Sequence, residues 1–129
     1  MNKILIEVSV GELLDKISIL EIKKDKIKNP EKLKFIVEEL SLLKEEYKNN
    51  IKSDEKLDKL YLSLKIINGR LWTIEDDKRK CEKENDFGEN FIKLSRDVHI
   101  LNDDRAKIKL EINNLTGSKI KEIKEYTNY

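Results

Sequence analysis

Apolar residues recur along this chain at alternating spacings of three and four over two long stretches. The first runs through Leu57, Leu60, Leu64, Ile67, Leu71, Ile74 and Cys81, the second through Phe91, Leu94, Val98, Leu101, Ile108, Ile112 and Leu115. Such spacing lays one apolar stripe along each helix and predicts two helices packed along a shared seam, as in a coiled coil. Lys78 and Arg105 stand at two positions where the spacing calls for a hydrophobe. A charge inside a seam has to be paired or put to use, because burying it alone is costly.

Upstream the period changes. Ile4, Ile6 and Val8 alternate within Lys3–Val8, the pattern of a short strand. Ser9-Val10-Gly11-Glu12 then reads as a capping box, the Ser9 side chain bonding the N–H of residue 12 and Glu12 returning to the N–H of Ser9. A first helix follows with Val10, Leu13, Ile17, Leu20 and Ile27 on its buried stripe, and Asn29-Pro30 ends it and starts a second. The second stripe is Leu33, Ile36, Leu40, Leu43 and Tyr47, fraying at Asn49-Asn50 and stopping near Ser53. Asp54 caps a third helix running to about Asn85, and Asp86, three residues before Glu89, caps the fourth. Thr116-Gly117 closes that helix, glycine supplying the left-handed conformation. The tail from Lys119 to Tyr126 lies beyond this stop and is expected to be extended, pairing with Lys3–Val8 as a small ribbon that packs on the bundle or joins a symmetry mate.

The predicted fold is therefore mainly α: an antiparallel bundle of four helices in one domain, residues 1–129, with a long C-terminal hairpin and short extended termini. The first two helices are too short to cover the whole hairpin. An uncovered apolar seam favours self-association, so a homodimer is expected, with Trp72, about 80° off the third-helix seam, at its interface.

Composition agrees with this picture and narrows the partners. Charged residues make up 41% and hydrophobic residues 38%, which suits long amphipathic helices. Twenty-seven basic residues nearly cancel 26 acidic ones, with the signs interspersed, which argues against nucleic acid as a partner. No apolar run approaches the roughly 18 residues needed to span a bilayer, and Glu7 interrupts the first apolar stretch too soon for a signal peptide. The expected location is cytoplasmic. The single Cys81 excludes an intrachain disulfide and a multi-cysteine zinc site.

The candidate chemistry is a set of polar residues turned toward the core. On a helical wheel Asn68 and Glu75 fall within about 40° of the third-helix stripe, and Asn102, Arg105 and Lys109 within about 40° of Val98. Glu21 and Lys24 flank Ile17 and Leu20 on the first helix. In the antiparallel hairpin Asn68 comes level with Arg105, whereas Glu75 lies about 12 Å further along and looks to Asn102 or the first helix for a partner. Two readings stay open. The set is a structural layer that specifies register, or a pocket for a small anionic ligand lined by Lys24, Asn102, Arg105 and Lys109, with Gly69 permitting a bend or close approach. An enzymatic version gives Arg105 and Lys109 the anion and Glu75 the acid/base role. No cofactor or catalytic residue is assigned. The acidic groups Glu12/Asp15, Glu75–Asp77 and Asp103/Asp104 do not come level, so no metal is expected and they read as solvated charge. His99 reads as a surface or interhelical histidine.

Three segments carry a resemblance: Val8-Ser9-Val10-Gly11-Glu12-Leu13-Leu14-Asp15-Lys16 continuing to Lys23, Leu71-Trp72-Thr73-Ile74-Glu75-Asp76, and Asn102-Asp103-Asp104-Arg105-Ala106 leading to Ile112-Asn113. In this order they are similar to a family of short all-helical bacterial and phage proteins known only as a domain of unknown function. The resemblance implies an all-helical fold over nearly the whole chain and carries no activity, substrate or site residue onto it. A weaker likeness is to helical chorismate mutases, but Arg70, Arg79, Arg96 and Arg105 do not share a face as their dicarboxylate pocket requires. The reading favoured from sequence is a non-enzymatic interaction or ligand-binding module, with a protein partner or a small anionic ligand, ahead of a small enzyme acting on a phosphorylated or carboxylate metabolite or a purely structural homodimer.

Overall fold

Polar residues set the starts of the first three helices. Ser9 Oγ accepts the N–H of Glu12 at 3.0 Å, Asn29 Oδ1 accepts those of Glu31 and Lys32, and Asp54 Oδ1 accepts that of Leu57 at 2.8 Å. Each cap is worth on the order of 1 kcal/mol. The helices that follow in the computed structural model are α1 (Val10–Lys26), α2 (Pro30–Asn50), α3 (Glu55–Glu84) and α4 (Glu89–Thr116). The structure describes residues 3–120 and 122–129; Met1, Asn2 and Lys121, the last within the predicted C-terminal extended segment, lie outside the described residues.

The fourth helix starts differently from the sequence reading. Asn85 takes the left-handed conformation (φ 55°) and donates to the Cys81 and Glu82 carbonyls, closing α3. Asp86 then bonds the N–H of Gly88 at 3.2 Å, and Gly88, not Asp86, is the N-cap of α4, without a side-chain cap bond. Asp86 shapes the turn because Asn85 has already reversed the chain. At the far end Gly117 (φ 67°) closes α4 as expected.

The described terminal residues carry no helix, but no ribbon forms: no strand occurs among the described residues. Ile4 is 86% and Ile6 76% exposed, so the alternating residues have no surface to cover, and a lone two-stranded ribbon is marginal. The tail instead returns along α4. Glu122 pairs with Lys109 at 2.8 Å, and the Tyr129 hydroxyl donates to Asp103 at 2.6 Å while its ring meets His99 edge to face.

Helix α1 is the centre of the bundle. It packs on α2, α3 and α4, while α3 and α4 pair as the long antiparallel hairpin and α2 lies against α1. The core joins Leu14, Ile17 and Leu20 of α1 to Leu40 of α2, Leu57 and Leu64 of α3 and Ile112 of α4. All of these hairpin residues belong to the half nearer the termini. The half nearer the turn buries Ile74, Cys81 and Leu101 in its own seam, and Lys78 stays in that seam by laying its ammonium over the Phe91 ring, 5.5 Å from the centroid. Among the described residues no helix is long and apolar enough to cross a membrane.

Candidate functional site

A row of small and polar residues, Gly11, Asp15 and Ser18, turns from α1 toward the hairpin at helical spacing and ends in Ile22. Gly11 lets the helices touch: a Cβ there would stand 2.6 Å from the Lys109 carbonyl oxygen. The first amides of α1 are taken up on arrival. Gly11 N–H donates to Asn113 Oδ1 at 2.7 Å and Val10 N–H to Ser118 Oγ at 3.4 Å. This orients the Asn113 amide so that its Nδ2 is buried without a partner among the described residues.

One turn on, Asp15 is 1% exposed and accepts from three side chains. Arg105 grips it with both Nε, at 2.9 Å from Oδ1, and Nη2 on Oδ2. Asn68 Nδ2 donates to Oδ1 at 2.9 Å and to Ser18 Oγ at 2.7 Å, and the Ser18 hydroxyl donates to the Asp15 carbonyl at 2.7 Å. Arg105 Nη1 donates to Asn102 Oδ1 at 3.3 Å. Lys109, 6% exposed, reaches Glu12 at 2.7 Å, Glu122 at 2.8 Å and Asp15 at 3.9 Å. Two cations thus meet three carboxylates. The hydrogen bond to Asp15 raises the Arg105 pKa against the pull of burial. Burial lowers that of Lys109, but its bonds to Glu12 and Glu122 outweigh it and the net shift is upward. Lys109 in turn holds the Glu122 carboxyl below its ordinary range.

A second polar contact ties α1 to α3 on the other side. Glu21 accepts from the Tyr61 hydroxyl and pairs with Lys65 at 3.3 Å. Burial pulls the Glu21 pKa up, yet Tyr61, Lys65 and Lys44 together hold it below the ordinary value of 4.5. The Tyr61 phenol, buried and facing that carboxylate, is pushed far up.

Where the hairpin rises past α1, a cleft of about 470 Å³ opens. Ile19, Ile22, Leu71 and Trp72 line its apolar part, Glu75, Asp76 and Arg79 its charged rim, and Asn68 and Arg105 its inner edge against the polar layer.

The structure thus gathers four of the predicted site residues, Asn68, Asn102, Arg105 and Lys109, around Asp15. It moves three others away. Glu21 belongs to the Tyr61 contact, and Lys24 is exposed near the end of α1. Glu75 is exposed on the cleft rim with no ion pair among the described residues, so the expected partner in Asn102 or α1 is replaced by solvent. Trp72 is half-buried in the cleft wall. Gly69 serves no close approach, since a Cβ there would meet nothing within 4 Å. Two carboxylates read from sequence as solvated take cation partners: Asp15, buried, binds Arg105, and Glu12, still exposed, binds Lys109 rather than returning to Ser9. Among the described residues no cluster of His, Cys, Asp and Glu is placed to hold a metal ion.

A protein-family model described as a family of unknown function (DUF6165) matches residues 4–129. The chain belongs to that family. No curated protein and no solved structure matches it. Membership therefore covers nearly the whole chain, polar layer and cleft included, without assigning either a role.

Sequence reasoning missed Asp15, Ser18 and Asn113, and with them the Lys109 partners Glu12 and Glu122 and the Glu21 partner Tyr61. A signal for the first two existed, the 11–15–18–22 spacing of small and polar residues ending in Ile22, which marks a second buried face on α1. Asn113 carried none, because its amide is read only against the helix that ends on it.

Proposed function

We propose that this protein is a non-enzymatic helical interaction module that acts as a homodimer through the cleft side of its hairpin, with the polar layer holding the module in shape. The observation that carries this reading is that the charges of the layer are already committed to each other. Arg105 spends its guanidinium on Asp15 and Asn102, and Lys109 its ammonium on Glu12 and Glu122. An anion at these cations would strip a buried carboxylate of its partner, a loss of several kcal/mol. The hairpin half beyond α1, by contrast, leaves the Trp72 wall open, and aromatic residues of this kind anchor interfaces.

Trp72 is the single tryptophan, so its emission reports this surface alone. Raising the protein concentration from low to high micromolar is expected to shift that emission to the blue and lower its quenching by acrylamide, in step with a doubling of mass by light scattering. Constant quenching with a monomer mass throughout would contradict the reading.

A second reading draws support from the cleft itself. Its volume falls within the roughly 300–1,000 Å³ of ligand pockets, and Arg79 and Glu75 stand on its rim. A small phosphorylated or carboxylate ligand held there, bound or turned over with Glu75 as acid/base, would raise the melting temperature in a thermal-shift screen of such compounds and lose that effect in Arg79→Gln.

A further inference from the structure

The cleft face of α3 is the complement of itself when turned end for end. From Trp72 to Lys83 an acidic run, Glu75-Asp76-Asp77, is followed directly by a basic run, Lys78-Arg79-Lys80. Turned about the point between Asp77 and Lys78, the acidic pair Glu75 and Asp76 comes level with the basic pair Arg79 and Lys80, and Trp72 with Lys83. Each encounter is favourable, the last as a cation over an aromatic ring. Trp72, Asp76 and Arg79 line the cleft together, and Lys83 continues their row along the helix. Glu75, Asp76, Arg79, Lys80 and Lys83 are all exposed and therefore available to a second surface.

We propose that a second copy of this chain docks on this face with α3 against α3, antiparallel, about a two-fold axis between Asp77 and Lys78. The proposal rests on the homodimer reading above and fixes its register. A two-fold interface uses the same patch on both copies, so the patch has to complement itself, and this run does so pair by pair. A parallel arrangement in register would set acid on acid and base on base, which is costly. In the antiparallel one each Trp72 lies about 8 Å along the helix from the axis, so two apolar anchors flank a central band of ion pairs. Within a single helix the same run makes Asp76–Lys80 at 3.4 Å and Asp77–Lys80 at 3.9 Å. Those contacts account for the alternation without a partner, and charge reversal separates the two explanations.

The experiment uses the full chain in three versions: Glu75→Lys/Asp76→Lys, Arg79→Glu/Lys80→Glu, and all four changes together. Each double variant brings like charges face to face, and its homodimer is expected to weaken roughly tenfold or more by sedimentation equilibrium. An equimolar mixture of the two restores opposite charges and is expected to return dimers at wild-type strength, as is the fourfold variant by itself. Raised salt weakens the dimers held by opposite charges and relieves the repulsion in the double-variant homodimers. Circular dichroism and melting confirm that each variant folds, and the fourfold variant keeps the test decisive if one double variant does not. Double variants that dimerise like wild type, or a mixture that stays monomeric, would overturn this register while leaving the homodimer reading in place. A wild-type chain that is monomeric throughout would overturn both.

Discussion

Gly11 sits where α1 and α4 come closest. Its missing Cβ would stand 2.6 Å from a backbone oxygen, which cannot swing aside, and 3.0 Å from Asn113 Oδ1, which is buried and held by the Gly11 N–H. Gly11→Ala is therefore expected to lift α1 from α4, costing about 1–3 kcal/mol as overpacking, with Arg105 and Lys109 losing part of their grip on α1. Gly69→Ala is the internal control. Open space surrounds that position, and alanine is the better helix former by up to about 1 kcal/mol, so this change is expected to be neutral or stabilising. Urea denaturation of both variants checks the pair; equal effects would contradict the packing described. At this scale the sequence was half legible. Arg105 announced itself as a charge where the seam wants a hydrophobe, and Asn68 as a polar residue level with it. Asp15 did not, because a carboxylate beside Lys16 in the second turn of a helix looks the same whether it faces water or an arginine 90 residues away in sequence.

Helix α1 carries more contacts than its length suggests, and its two polar attachments point in different directions. Asp15 and Glu12 fasten it to α4, while Glu21 fastens it to Tyr61 and Lys65 of α3 within reach of Lys44 on α2. The Glu21 carboxyl is held below its ordinary 4.5, so this attachment contributes fully above that value and is lost as the pH falls through the lower folded one. Wild type is expected to melt higher than Glu21→Gln at neutral pH, with the gap closing progressively once the pH drops below 4.5. Melting curves across an acid series check this, and a gap independent of pH would refute it. The bounds of all four helices were readable to within about three residues from caps and stripes. The central position of α1 was not, since the stripe Val10, Leu13, Ile17, Leu20 and Ile27 describes one face only. The terminal ribbon failed for a related reason: alternation marks a residue's capacity to cover an apolar surface, and Ile4 and Ile6 were given none.

For the whole molecule, the mismatch between a 17-residue α1 and a hairpin with arms of 30 and 28 residues has two consequences. The half of the hairpin under α1 is locked by a buried polar layer, and the other half carries the Trp72 cleft and the acid-then-base run of α3, the face proposed above to meet a second copy. Both rest on the claim that the layer is structure and not a binding site. A double-mutant cycle over Asp15 and Arg105 tests that claim most directly. Arg105→Met strands the buried Asp15 carboxylate and is expected to cost about 3–5 kcal/mol in chemical denaturation, and Asp15→Leu, which strands the half-buried Arg105 guanidinium, is expected to cost less. Together they remove the pair, leave Asn68 its bond to Ser18, and are expected to recover most of that loss. An Arg105→Met variant as stable as wild type, which has lost a stabilisation by phosphate-bearing compounds that wild type shows, would instead make Arg105 a ligand's residue and contradict the account.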